Sequence, residues 1–400
     1  MASVISALTS GGGGISMTGD ASGILNLNSN GTNVVAVTST GMAVTGTLSS
    51  SNGISVANTF GFKNRIINGA MVIDQRNAGA SVTPTNGVYT LDRYRAILTQ
   101  SSKFSVQQNA GAITPPVGFS NYLGITSLSA YSIGASDLFM ITQYIEGYNI
   151  SDLGWGTANA KTVTLSFQVY SSLTGTFGGV LTNSAQNRSY PFTYSIPVAN
   201  TWTTISITIA GDTSGTWIGA TNGTGIAVVW GLGAGSTYSG TAGAWAGANY
   251  FSATGATSVV GTSGATFYIT GVQLEKGSTA TSFDVRAYST ELAMCRRYYA
   301  RLQDTLALSG SLGTVSVEGA SSTYGTAPFS MRATPSSTFS GLTISDGNVI
   351  PAVTSVSNLG NIIGGVSFTL NCSAATLTVG RAARIRNALG TAYLDFSAEL

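Results

Sequence analysis

Histidine is absent from the 400 residues, and cysteine occurs only at Cys295 and Cys372. Without an imidazole, histidine-based zinc sites and Ser-His-Asp or Cys-His catalysis are excluded. Two distant cysteines make neither a disulfide framework nor a CxxC metal pattern, and both read as small buried thiols. Charge is scarce too: Lys, Arg, Asp and Glu make up 8% of the chain, against roughly 25% in an ordinary soluble domain. The 17 basic and 15 acidic side chains are spread along the sequence. No Lys/Arg cluster with interleaved aromatics forms a nucleic-acid footprint, and the nearest, Arg381, Arg384 and Arg386, reads as a short exposed helix or turn. No apolar run approaches the ~20 residues of a membrane span. The start, MASVISALTSGGGG, lacks the basic and apolar regions of a signal peptide. The chain is therefore expected to be made and folded in a cytoplasm, with neither nucleic acid nor membrane insertion among its partners.

What the chain has in quantity is glycine (51 residues), serine, threonine and 43% hydrophobic residues. Low charge with that hydrophobicity does not suit disorder. Thr, Val, Ile and Tyr favour strands, and Gly, Asn and Asp supply the turns, so the expected fold class is all-β. Residues 1–57 carry one charge, Asp20, and alternate apolar with small polar residues between Asn-Gly and Thr-Gly breaks. That pattern is a β-meander, too small to stand alone, which would attach to another protein or to copies of itself. A flexible leader is the competing reading, and the regular alternation argues against it.

Residues 58–288 hold many four- to nine-residue strand candidates with turn punctuation, among them Phe62–Ile67, Tyr89–Leu98, Thr162–Tyr170, Gly225–Gly231 and Thr266–Gln273. Their number and spacing suit a two-sheet jelly-roll sandwich. In Thr162–Tyr170, Val163, Leu165, Phe167 and Val169 share one face. The period then changes at residues 289–302, where Ser289 or Thr290 can cap a short linking helix with Glu291 in its first turn. Leu292, Cys295 and Tyr299 lie on its apolar stripe, and three turns need a partner to be stable. Residues 303–400 return to strand patterning and form a second, smaller β-sandwich domain.

Eight charged residues crowd the junction Gly271–Leu302, and its wording carries a resemblance. In order along the chain stand Lys63–Arg76 (KNRIINGAMVIDQR), Tyr89–Tyr94 (YTLDRY), Asn200–Thr203 (NTWT) and Gly211–Trp217 (GDTSGTW). Then follow Phe267–Glu275 (FYITGVQLE), Glu291–Tyr299 (ELAMCRRYY), Pro328–Pro335 (PFSMRATP) and Ala392–Phe396 (AYLDF). Together these resemble tail-fibre and related appendage proteins of tailed bacteriophages. The resemblance implies a virion protein, normally an intertwined homotrimer, with a carbohydrate-binding-like jelly roll. Its N-terminal segment would dock on a tail or other virion protein, its C-terminal domain would form the tip, and its ligand would be host cell-surface polysaccharide. The alternative is a purely structural virion component, such as a head fibre, a decoration or a fibre linker.

No catalytic residues, cofactor or metal ligands are assigned. Glycoside hydrolysis needs two convergent carboxylates, and most of the acidic residues have simpler roles: Asp92 beside Arg93 or Arg95, Glu275 beside Lys276, and Asp212 and Asp346 in glycine-rich turns. Sugars present an apolar ring face and a rim of hydroxyls, which aromatic platforms beside polar groups suit. The candidates are Trp217, Tyr238, Trp245, Asn249 and Tyr250, with local packing under a long loop as the competing reading. Trp202 and Trp230 read as core, and Trp155 is ambiguous. In the tip, Tyr324, Asp346 and Asn348 are candidate receptor contacts. At the threefold axis, Leu292, Cys295 and Tyr299 are candidate trimer contacts.

Overall fold

The alternating runs become strands in the computed structural model, which describes residues 25–29, 32–38, 41–44, 62–303, 311–362, 364–373, 376–387 and 392–400. The fold is all-β, with one α-helix among the described residues. The chain divides into two units, Met1–Thr59 and Phe60–Leu400. In the first, β1 (Leu25–Ser29), β2 (Thr32–Thr38) and β3 (Gly41–Val44) form an antiparallel sheet in that order. This is the expected meander, with Val35 opposite both Leu27 and Val44. The remainder of residues 1–57, to which virion attachment was assigned, lies outside the described residues.

The second unit opens with a jelly-roll sandwich. Its strands are β4 (Arg95–Leu98), β5 (Phe104–Gln108), β6 (Leu123–Ser127), β7 (Leu138–Glu146), β8 (Val163–Ser171) and β9 (Gly175–Thr182). They continue with β10 (Ser189–Ile196), β11 (Thr203–Ile209), β12 (Thr224–Ala234), the two-residue β13 (Ser239–Gly240) and β14 (Ser252–Ala253), and β15 (Thr266–Lys276). One sheet runs β10-β9-β12-β7-β4 and the other β11-β8-β15-β6-β5. Period-2 patterning sends Val163, Leu165, Phe167 and Val169 of β8 inward against Ile226, Val228, Trp230 and Leu232 of β12. Trp230 is wholly buried, with its ring edge-to-face to Phe167 at 6.1 Å, as expected of a core tryptophan.

One expected strand does not form and another forms only in part. Phe62–Ile67 runs beside β15 but is tied by isolated bonds, such as Arg65 N–H to the Leu274 carbonyl (3.0 Å), rather than by a ladder. Of Tyr89–Leu98, only Arg95–Leu98 is strand, because Arg93 sits at φ 72° in a turn. That turn is held by Asp92, whose carboxylate accepts from the backbone and side-chain amides of Gln75 at 2.7 and 2.5 Å. Asp92 therefore does not pair with Arg93 or Arg95.

The helix α1 (Tyr288–Arg296) starts after Ala287, without a side-chain cap, and ends earlier than the sequence suggests. Residues 299–303 instead become β16 (Tyr299–Gln303), because a ladder to the last strand is available there. The C-terminal sandwich continues with β17 (Ser311–Gly319), β18 (Ser322–Ala327), β19 (Ser336–Ser340), β20 (Leu342–Ser345) and β21 (Val353–Ile362). It ends with β22 (Gly365–Cys372), β23 (Ala382–Asn387) and β24 (Tyr393–Ser397). A six-stranded sheet, β20-β23-β17-β18-β22-β21, faces a three-stranded one, β16-β24-β19, across Ile344, Phe368, Leu370, Ile385, Leu394 and Phe396.

The apolar stripe of α1, to which trimer contacts were assigned, packs within the chain. Cys295 is fully buried in a cluster with Ile67, Ile73 and Tyr298, and Leu292 packs on the same cluster. Tyr299 is also buried, under the Arg76 guanidinium 3.5 Å from its ring centre. Leu292 stays half-buried, whereas Cys295 and Tyr299 are covered. The junction arginines are structural: Arg297 makes a two-pronged bond to Glu146 (3.0 and 2.5 Å), and Arg301 makes one to Asp395 (2.8 and 2.7 Å). Burial works against ionisation of Glu146, but hydrogen bonds from Arg297 and Tyr298 outweigh it and hold the carboxyl below its usual range. Arg297 thereby ties the end of α1 to the jelly roll, whereas Asp395 lies opposite Arg301 on the neighbouring strand of the same sheet. Arg301 crosses to the first half of the unit through the Arg76 carbonyl (2.7 Å), as does Arg332, which donates to the carbonyls of Asn222, Ala398 and Glu399.

Candidate functional site on the outer face of the jelly roll

The strand that showed the cleanest alternation also supplies the site. With its odd-numbered residues in the core, β8 turns Ser166, Gln168 and Tyr170 outward, all half-buried. Antiparallel pairing with β11 sets Ser206 opposite Ser166 and Thr204 opposite Gln168. On the other side β15 sets Gln273 opposite Ser166, Thr270 opposite Gln168 and Tyr268 opposite Tyr170. The outer face is thus a row of hydroxyls and amides that ends in tyrosine.

Two loops raise walls on this floor and enclose a groove of about 400 Å³, lined by Val117–Phe119, Ser166–Gln168, Thr204–Ser206, Gly271 and residues 280–283 with Val285. That volume falls within the range of ligand sites, about 300–1,000 Å³. Phe119 and Phe283 meet edge-to-face at 5.1 Å across one end. Phe119 can lie there because β15 bulges between Thr270 and Gln273 and carries Gly271 at φ 62°. A Cβ at Gly271 would stand 2.6 Å from the Phe119 ring, so only glycine leaves room.

Within the groove the Thr204 hydroxyl donates to Gln168 Oε1 at 3.1 Å, which fixes the carboxamide and leaves its NH₂ as a donor. Past Gln168 lies an aromatic shelf. Tyr170 and Tyr268 stack at 5.4 Å with their planes 6° apart, and Tyr122 stacks on Tyr268 at 5.1 Å. Trp202 borders both Tyr122 and Tyr170, and its indole N–H donates to the Thr114 carbonyl at 2.9 Å. Trp202, itself half-buried, therefore belongs to this outer shelf, over the buried Tyr122, and not to the central core. Burial raises the phenol pKa of Tyr122 and of Tyr268, so both stay neutral donors across the physiological range.

The residues singled out in the sequence lie elsewhere. Trp217 and Trp245 are brought together, 5.4 Å apart, and each meets the buried Trp155 edge-to-face at 4.7 and 5.3 Å. All three indole N–H groups donate to nearby carbonyls: Trp155 to Lys161, Trp217 to Ser214 and Trp245 to Ala210. Beside them Arg188 clamps Asp212 with bonds of 2.8 and 2.7 Å. The geometry is that of a staple joining loops, with ring edges rather than open faces at the contacts.

Tyr238 lies apart from the tryptophans, against Phe251 over the outer face of the other sheet. Tyr250 packs on Gly240, and Asn249 is exposed. In the C-terminal sandwich Tyr324 is half-buried on β18 and Asn348 is exposed. Asp346 accepts from the backbone N–H groups of Asn348, Val349 and Thr378, which hold its carboxyl well below the usual range. Glu275 accepts from Gln273 and Thr281, while Lys276 pairs with Asp152 instead. Among the described residues no group of three or more Cys, Asp or Glu is placed to hold a metal ion.

The groove was missed because Phe119, Gln168, Thr204, Gly271 and Phe283 come from five separate stretches. One signal did point to it: the polar face of Thr162–Tyr170, which ends in an aromatic residue.

No protein-family model matches the sequence, and neither does any curated protein. Solved structures overlap it in part. One is the enzymatically active domain of tailspike protein 4 of bacteriophage CBA120, at 13% identity and a TM-score of 0.30. The overlap covers 54% of this chain and 21% of that one, so the chain spans about a fifth of the length of that tailspike domain. A putative sugar binding protein from Bacteroides thetaiotaomicron overlaps at 12% identity and a TM-score of 0.31, covering 54% of this chain and 100% of that one. The module TmCBM61, solved with β-1,4-galactotriose, overlaps at 10% identity and a TM-score of 0.27, with the same two coverages. Overlaps of this size establish neither ligand nor role.

Proposed function

We propose that this chain is a tail fibre of a tailed bacteriophage, a homotrimeric and non-catalytic virion appendage. It attaches to the particle through its N-terminal segment and adsorbs to host surface glycans through its β-domains. The observation that carries the glycan part is the groove on the outer face of the jelly roll. Phe119 and Phe283 offer apolar walls, and Ser166, Gln168, Thr204 and Ser206 offer hydroxyl and amide partners along the floor. Sugars need that combination: apolar contact for the ring faces and a few placed polar groups for the hydroxyls. The virion part is supported by the ordered resemblance from Lys63 to Phe396.

The test has two parts. Purified chain is measured for binding to host cells and to polysaccharide extracted from them, and gold-labelled antibody locates the chain on intact particles by electron microscopy. Saturable binding together with a tail position is expected. Label on the capsid or collar, with no binding to cells, would point instead to a structural virion component.

A further inference from the structure

The proposed glycan site contains no charge. Not one of the side chains lining the groove is Lys, Arg, Asp or Glu. At the rim a cation and a carboxylate meet on one lining residue, Thr281, and so offset each other. Glu275 is buried and accepts from Gln273 and Thr281, Lys63 donates to Thr281, and Asp284 accepts from the Asn64 backbone and faces Arg286. What remains is apolar surface from Val117, Phe119, Ile205 and Phe283, and neutral hydrogen-bonding groups from Ser166, Gln168, Thr204 and Ser206.

We infer that the groove selects neutral oligosaccharides and rejects acidic ones. This rests on the glycan reading and names its substrate class. A neutral pyranose exchanges water for hydroxyl and amide partners at little cost, and lays its apolar face on the phenylalanine walls. A uronate, sialate or phosphate group would lose water without gaining a cation, which is costly in a walled, partly dry site. The Gln168 carboxamide, already oriented by Thr204, is the central polar contact, donating to a ring or hydroxyl oxygen. Because no ion pair forms, binding does not depend on screening.

The experiment uses the full chain and a panel of neutral polysaccharides (a β-glucan, a galactan, a mannan) and acidic ones (polygalacturonate, hyaluronate, a sialylated glycan). Wild type is compared with Gln168→Ala and Thr204→Val, and the unfolding midpoint of each variant serves as the control for folding. Expected are binding to at least one neutral glycan, acidic counterparts at least about tenfold weaker, and a Kd that changes less than about twofold between about 0.05 and 0.5 M salt. Both variants weaken that binding by about five- to tenfold with the midpoint unchanged. Acidic glycans bound as tightly, and lost in the same variants, would overturn the inference while leaving the glycan site standing. Glycan binding untouched by both variants would overturn the groove itself, and no binding across the panel would overturn the glycan reading too. Variants that change the mass of the assembly rather than its binding would assign the groove to a second copy of the chain, again overturning the inference.

Discussion

Replacing Glu399 by Gln tests how the two sandwiches of the second unit are held together. Glu399 accepts from Arg93 through one carboxylate oxygen and from Arg76 (3.0 Å) through the other. Side-chain exposure is 1% for Arg93, 12% for Arg76 and 7% for Glu399, so water screens this triad little. Arg93 also donates to the Tyr144 carbonyl at 2.6 Å and lies 3.5 Å from the Tyr298 ring centre, so it cannot swing away to solvent. Glu399→Gln removes the carboxylate of this triad and leaves two buried guanidinium groups facing an amide. Breaking a buried pair from one side costs about 3–5 kcal/mol. At about 2 °C per kcal/mol for a unit of this size, the unfolding midpoint should fall by about 6–10 °C. Urea denaturation of the full chain measures it, with the exposed Glu318→Gln as the control for a lost surface charge. A second substitution, Arg93→Met, should recover part of the loss, since apolar replacement of a whole buried pair is often neutral. A loss below about 1 kcal/mol, no larger than that of Glu318→Gln, would refute the reasoning.

The other predictions concern the same unit. Burial raises the Asp92 carboxyl to about 6 against 3.8 for the free group, so between those values the folded chain holds a proton that the unfolded chain has released. Stability contributed by this group is therefore present below about pH 4 and lost as pH rises through 6. Asp92→Asn should gain about 1–3 kcal/mol relative to wild type across that window; a difference independent of pH between 4 and 7 would contradict it. Gly271→Ala puts a methyl group at φ 62° into the Phe119 ring and should cost about 1–3 kcal/mol in urea unfolding while weakening glycan binding. Unchanged stability and affinity would show that the Phe119 wall is not held as described. Cys295 is fully buried, and burial pushes its thiol well above the ordinary range, so a thiol reagent should not modify it until the chain unfolds. Rapid modification in the native state, read by peptide mass, would mean that α1 does not pack on Ile67 and Ile73.

The parts of this fold that could be read from sequence are those set by local period. Val163 to Val169 alternate because β8 has one buried face, Ile226 to Trp230 run apolar because β12 is central in its sheet, and the strands β1 to β3 fall in the alternating runs between the Asn-Gly and Thr-Gly breaks of the sequence. What local pattern could not show was tertiary override. Tyr299–Gln303 continues a helical stripe on paper but pairs with β24, nearly a hundred residues later. Arg93 sits at positive φ because Asp92, Gln75 and Glu399 fix it there, and the sequence places only Asp92 beside it. Ion-pair partners chosen by proximity along the chain differ from those formed for the same reason: Lys276 reaches Asp152, and Arg93 reaches Glu399. Tryptophan content pointed to the loop staple of Trp155, Trp217 and Trp245, whereas the groove is built mainly from Ser, Thr, Gln and Phe on separate strands and loops.

The most direct test is a structure of the full chain with a neutral oligosaccharide that it binds, by crystallography or by mapping chemical shifts. The account predicts sugar in the groove against the Phe119–Phe283 pair, with a hydroxyl or ring oxygen at hydrogen-bond distance from the Gln168 amide. Sugar seated instead against Trp217 and Trp245, with the groove empty, would contradict it.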